Sequence, residues 1–131
     1  MVNEVMLVGR LVRDPEVRRT AKGTPVAHFS LATNSRGVDD EGTAIERAEF
    51  HEVEAWARLA ETVGQVLRRG KLIYLRGQLR SHTWEQDGHR LRSTRIVAQD
   101  FRILANPTGR RGAASAHGDA ENVTVEATPS A

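Results

Sequence analysis

The chain is 131 residues long with a formal net charge of +2, and all but Lys22 and Lys71 of its 19 basic residues are arginines. That length holds one domain and excludes a second large core. The absence of cysteine excludes disulfides, thiolate-held metal clusters and thiol nucleophiles; with no leader pattern, and no apolar run near the roughly 20 residues of a membrane span, the expectation is a soluble cytoplasmic protein. Arginine forks onto phosphates and stacks on bases better than lysine does, but the codon bias of a GC-rich genome yields the same composition, so charge alone decides little.

The first segment, Val5 to Val12, is apolar at nearly every position where a half-buried strand should alternate, which predicts a strand buried on both faces. Asp14-Pro15 ends it. Lys22-Gly23 offers a turn before Pro25, and Val26 to Thr33 reads as a second strand that could pair with the first. Asn34 to Thr43, with two glycines and two aspartates, predicts a flexible loop. A third strand spans Ile45 to Trp56. Its alternation puts Ala48, Phe50, Glu52, Glu54 and Trp56 on one face and Glu49, His51, Val53 and Ala55 on the other, the second set being small enough for a tight core.

From Arg58 to Arg69 the period becomes helical, with Leu59, Val63, Val66 and Leu67 on one stripe, two arginines in the last turn and Gly70 at the C-terminal cap. Lys71 to Arg80 alternates again, Ile73, Leu75 and Leu79 against Tyr74, Arg76, Gln78 and Arg80. Gln86-Asp87-Gly88-His89 predicts a hairpin turn into a last strand, Leu91 to Leu104. The predicted order β-β-β-α-β-β is that of a five-stranded Greek-key barrel of the OB type over residues 1–104, all-β with one short helix. Residues 105–131 hold no Leu, Ile or aromatic residue and read as a disordered C-terminal tail.

OB barrels hold single strands on the face of their second and third strands and on the loops joining strands one to two and four to five. Phe50 and Trp56 project from one face of the third predicted strand, about 20 Å apart, and Trp84 lies in the last hairpin. Aromatic side chains are most often core residues. Here the parity of Phe50 and Trp56 is shared with Glu52 and Glu54, which a small barrel could not bury unpaired, so the aromatics are expected on the wetter face. Arg36, Arg58, Arg69, Arg80, Arg90 and Arg92 fall near the bordering loops and strand ends and are expected to meet phosphates.

Five segments then carry a resemblance: Asn3 to Gly9, Asp14 to Arg18, Val26-Ala27 with Leu31-Ala32-Thr33, Leu59-Ala60-Glu61, and Tyr74 to Arg80. In order and spacing they resemble the bacterial single-stranded DNA-binding proteins, over roughly residues 2 to 104. The resemblance implies a homotetramer of OB folds around which single-stranded DNA wraps during replication, recombination and repair, cytoplasmic and nucleoid-associated, with no metal or other cofactor. It assigns Phe50, Trp56 and Trp84 to base stacking, Arg58, Arg69 and Arg80 to phosphates, and His51 to a subunit interface. Met6 and Val8 would pack on a neighbouring subunit, which gives the doubly apolar first strand a cause, and Tyr74 and Gln78 are placed at that interface with them. The rival reading covers that strand with its own chain.

Three departures stand out. Gly37 occupies a place where many members carry an aromatic, and Glu52 and Glu54 lie between two stacking positions, where negative charge should weaken polyanion binding. The tail ends Ala127-Thr128-Pro129-Ser130-Ala131 rather than in an acidic peptide with a terminal Pro-Phe, so recruitment of replication or repair proteins through it is doubtful. A secondary paralogue, or a plasmid or phage member, fits these differences. Two other classes are weighed. An enzyme finds no support, since His51 and Glu52 point to opposite faces of a strand and no P-loop, G-x-S-x-G or H-E-x-x-H is present. A primosome-type OB adaptor, whose main ligand is another protein, is the alternative, and RNA in place of DNA is not separable by stacking residues alone.

Overall fold

The computed structural model describes residues 1–107 and 124–126. Strands β1 (Val5–Leu11), β2 (Glu16–Arg19), β3 (Pro25–Val38) and β4 (Ala44–Trp56) precede a single helix, α1 (Arg58–Val66), and β5 (Leu72–Gln86), β6 (His89–Ala105) and the three-residue β7 (Thr124–Glu126) follow it. β1 pairs antiparallel with both β5 and β3, β3 with β4, and β5 with β6, and a short parallel pairing of β4 with β6 completes the circuit. This is the closed five-stranded OB barrel, with β2 added beside β3 and β7 beside β6.

Period-two alternation fills the barrel. Ala27, Phe29 and Leu31 from β3, Val53 and Ala55 from β4, Ile73 and Leu75 from β5, and Ile96, Ala98, Phe101 and Ile103 from β6 are all buried. α1 adds Leu59, Ala60 and Val63, packing its apolar stripe against β3 and β4. Where β1 crosses to β3, a Cβ at Gly9 would run into the carbonyl oxygen of Ala32, so the closure depends on a residue without a side chain.

Several expectations from the sequence are corrected. β1 buries one face only: Val5, Leu7 and Leu11 turn inward, while Met6 and Val8 are exposed, and no described element of the chain covers them. Asn34 to Val38 is not loop but strand, paired to Ala44–Ala48, and only Asp39 to Thr43 turns. The Asp39 carboxylate shapes that turn by accepting from the backbone N–H groups of Glu41 and Thr43, at 2.9 and 2.8 Å. The helix stops at Val66 rather than Arg69, because Leu67 leaves helical geometry to bury its side chain. Arg68, just beyond, donates to the carbonyls of Gly64 and Leu67, and Gly70, at φ +89°, serves the turn into β5 rather than a cap. The last hairpin turns at Asp87-Gly88, both at positive φ, as a two-residue turn of this chemistry requires. Most of the expected disordered tail lies outside the described residues; Thr124–Glu126 within it pairs with β6 at Asp100–Arg102.

Candidate nucleic-acid interface

In an antiparallel ladder directly opposed residues share a face, so register defines the surfaces. On β4 the outward set is Phe50, Glu52, Glu54 and Trp56, opposite Ala32, Ser30, His28 and Val26 of β3. The pairings Val53↔Ile96 and Glu54↔Val97 carry this face onto β6, where Arg95 and Val97 continue it. The β5–β6 register extends it again, Arg80 opposite Arg95, His82 opposite Ser93 and Trp84 opposite Leu91. One surface therefore runs across β3, β4, β6 and β5 and holds all three expected stacking residues.

Their settings differ. Phe50 is 64% exposed and Trp84 37%, the latter with its ring stacked on His82 at 5.4 Å between centroids and 23° between planes. Trp56 is half-buried and donates its Nε1–H to Glu54 Oε1 at 3.2 Å. The second oxygen of Glu54 accepts from Arg95 Nη1 at 3.2 Å. Glu54 thus keeps the outward parity read from sequence but is only 6% exposed, and its charge is matched by Arg95. Glu52 stays exposed.

The expected phosphate contacts divide. Arg80 shares the aromatic face, as does Arg36, which stands opposite Glu46 at the distal end of the β3–β4 ribbon. Arg58 opens α1, exposed, two residues after Trp56. Arg69 is exposed in the turn before β5, and its backbone N–H donates to Asp14 Oδ1 at 2.8 Å. Arg90 and Arg92, opposite Glu85 and Thr83, alternate to the other side of the β5–β6 ribbon from Trp84, and Arg92 Nη2 donates to Ser81 Oγ at 3.0 Å. Arg95 and His82 belong to the face and were not singled out from sequence. A β-bulge explains Arg95: Arg76 pairs with Asp100 but Gly77 with Ala98, so Gln99 is extra and parity inverts along β6. Counted back from the buried Phe101, Arg95 would point inward. His82 had a weaker signal, its two-residue spacing from Trp84.

A second surface lies on β1, β5 and the C-terminal half of β6. Met6 opposes Arg76 and Val8 opposes Tyr74, and exposed Gln78, opposite Val97, stands on β5 where this patch borders the aromatic face. Val8, Tyr74, Asp100, Phe101, Arg102 and Leu104 line a hollow of about 390 Å³ there. Arg76 binds Asp100 Oδ2 through Nε and Nη2 at 3.3 and 3.0 Å and approaches Glu4 at 3.5 Å. The Asp100 hydrogen bond and charge, with a smaller contribution from Glu4, hold the guanidinium above its ordinary pKa. Three of the five expected interface residues, Met6, Val8 and Tyr74, meet here, with Gln78 at the border. His51 does not: it lies on the inward parity of β4, opposite Leu31, sharing a 2.9 Å hydrogen bond with Thr33 Oγ1. Among the described residues no helix is long and apolar enough to cross a membrane, and no group of three His, Asp or Glu side chains is placed to hold a metal ion.

Residues 2–104 match the single-strand binding protein family. The chain is 39% identical over 105 residues to Single-stranded DNA-binding protein 1 of Chlorobaculum tepidum, covering 79% of this chain and 65% of that one. It is likewise 39% identical over 114 residues to the single-stranded DNA-binding protein of Neisseria meningitidis, covering 86% and 66%. It therefore spans just under two thirds of these relatives' length. Among solved structures, an SSB of Plasmodium falciparum in complex with ssDNA superposes with a TM-score of 0.74 at 26% identity, covering 79% of this chain and 96% of that one. A deletion mutant of the single-stranded DNA binding protein from Thermus aquaticus superposes with a TM-score of 0.71 at 31% identity, covering 85% and 53%.

Proposed function

The chain belongs to the single-strand binding protein family, and from that premise we propose that it binds single-stranded DNA without sequence preference, as a service to replication, recombination and repair rather than as an enzyme. The observation that carries this reading is the shared outward face of Phe50, Trp56 and Trp84, on which bases can stack, with Arg80 and Arg36 on the same face for phosphates. Each stacked base contributes about 1–3 kcal/mol with little dependence on its identity, because every base has a π-face. Arg58 extends the positive track beyond Trp56. Arg69, Arg90 and Arg92, which lie off the face, would touch only a strand that leaves it around the barrel's ends.

The exposed apolar stripe of Met6 and Val8, with Tyr74 and Gln78, supports assembly with further copies of the chain, the family expectation being a homotetramer. His51, which the family resemblance also assigns to a subunit interface, lies apart from this stripe, on β4 beside Thr33. The pairing of Glu54 with Arg95 removes part of the repulsion that its carboxylate would otherwise offer a polyanion. The same reading places it in the cytoplasm, with the nucleoid's DNA, as the family expectation.

The test is a titration of tryptophan fluorescence with dT oligomers of about 35 and about 70 nucleotides at low and high salt, with mass by light scattering in parallel. Quenching by an oligomer that weakens in salt is expected. Unchanged emission with both lengths at low salt would overturn the stacking reading.

A further inference from the structure

We propose that Glu54 is a positioning residue: anchored by Arg95, its carboxylate fixes the indole of Trp56 in the orientation that offers a ring face to a nucleobase. This rests on Trp56 being a stacking residue, and it reverses the sign of the effect that a glutamate beside a DNA path would ordinarily have.

The argument starts from burial. Glu54 sits on the outward face of β4 between exposed Glu52 and half-buried Trp56, yet it is 6% exposed. A carboxylate so far removed from water is tolerated only when its oxygens are bonded and its charge is met. Each oxygen has one donor, and the donors come from different elements. Oε1 accepts from Trp56 Nε1, two residues along the same strand, and Oε2 accepts from Arg95 Nη1 of β6, both at 3.2 Å. The parallel pairing Glu54↔Val97 brings Arg95 alongside, and His28 stands opposite Glu54 on β3. The carboxylate is thus gripped from the neighbouring strand and in turn grips the indole by its single N–H. A ring held by one edge keeps a face free for stacking, and the ordering is done before any ligand arrives, which removes part of the entropy cost of binding. A carboxylate suits this place because it accepts from both donors at once. Trp56 and Arg95 meet different oxygens, so a carboxamide in the same place turns an NH2 donor toward one of these two donors.

The two readings of Glu54 predict opposite results. If it only repels the polyanion, neutralising it strengthens binding; if it positions Trp56, neutralising it weakens binding. Affinity is read from the anisotropy of fluorescein-labelled dT, which requires no tryptophan. Indole accessibility is read from acrylamide quenching of the free protein in a Trp84→Phe background, where Trp56 is the sole tryptophan. Glu54→Gln is expected to raise quenching and to weaken dT binding about tenfold, the loss of a good part of one stacked base. In a Trp56→Phe background, where the ring has no N–H to serve, the same substitution should alter affinity less than about twofold, since the amide oxygen is then free for Arg95. Glu54→Val, which removes both bonds, should match or exceed the effect of Glu54→Gln; if its melt shows it unfolded, the isosteric Gln variant carries the test alone.

Unchanged or tighter binding by Glu54→Gln with quenching unaltered would overturn the proposal. So would an equal loss in the Trp56→Phe background, which would show Glu54 acting through the fold rather than the indole. Should the parent bind no dT, the DNA-binding reading fails, while quenching of the free protein still decides whether Glu54 holds the ring.

Discussion

Replacing Phe50 by alanine separates ligand binding from folding more cleanly than any other substitution on the aromatic face. The ring is 64% exposed, so only about a third of its surface is packed against the protein. Full burial of a phenylalanine side chain is worth about 1.5–3 kcal/mol, and the truncation should therefore cost about 0.5–1 kcal/mol of stability, a few degrees in Tm. A base that stacks on it loses about 1–3 kcal/mol, a rise in Kd of roughly 5- to 150-fold. Phe29, fully buried directly behind this face, is the contrast, since Phe29→Ala should cost about 3–5 kcal/mol and melt the barrel early. Because Trp56 and Trp84 remain as reporters, the Phe50→Ala titration with dT uses the same fluorescence signal as the parent, alongside a thermal melt. An unchanged Kd would refute the stacking role. A fall in Tm as large as that of Phe29→Ala would refute the exposed placement of the ring.

Three further outcomes follow from the geometry. Gly9→Ala should destabilise by about 1–3 kcal/mol or more, because the new methyl group meets the Ala32 carbonyl, whereas Gly37→Ala, with open space around it, should leave Tm within a degree or two; chemical denaturation of both measures the difference. Arg80→Ala should flatten the plot of log Kobs against log salt by about 0.7, the share of one phosphate contact on a single strand, and should act equally on dT and dA oligomers. Arg76 is held above its ordinary pKa by Asp100. The stabilisation from a raised group is fully present below its unfolded value and is lost only as pH rises through the folded one, which lies above the ordinary arginine range. Stability measured from pH 6 to about 10 should then contain no step that Arg76→Met removes, and such a step would contradict the assignment.

Alternation made much of this architecture legible. Val53 and Ala55 inward with Phe50 and Trp56 outward follows from period two alone, and the buried Leu59 and Val63 of the helix from helical period. What escaped is what apolar pattern does not encode. Asn34 to Val38 extends β3 through backbone pairing with exposed side chains, so nothing in its hydrophobicity marks a strand. β2, exposed throughout, is silent for the same reason. The bulge at Gln99 inverts the parity of β6 and hid Arg95, and with it the partner that allows Glu54 to be buried. Met6 and Val8 read as buried because their side chains are apolar, yet the partner that would cover them lies outside a single chain.

Photocrosslinking of a 4-thiothymidine-substituted dT oligomer, with the attached residues mapped by mass spectrometry, tests most directly where the strand lies. Attachment at Phe50, Trp56 and Trp84 is the result this account expects, with the yield at each falling as salt rises. Attachment concentrated at Tyr74 or Met6, on the β1–β5 face, with none on β4 would contradict it.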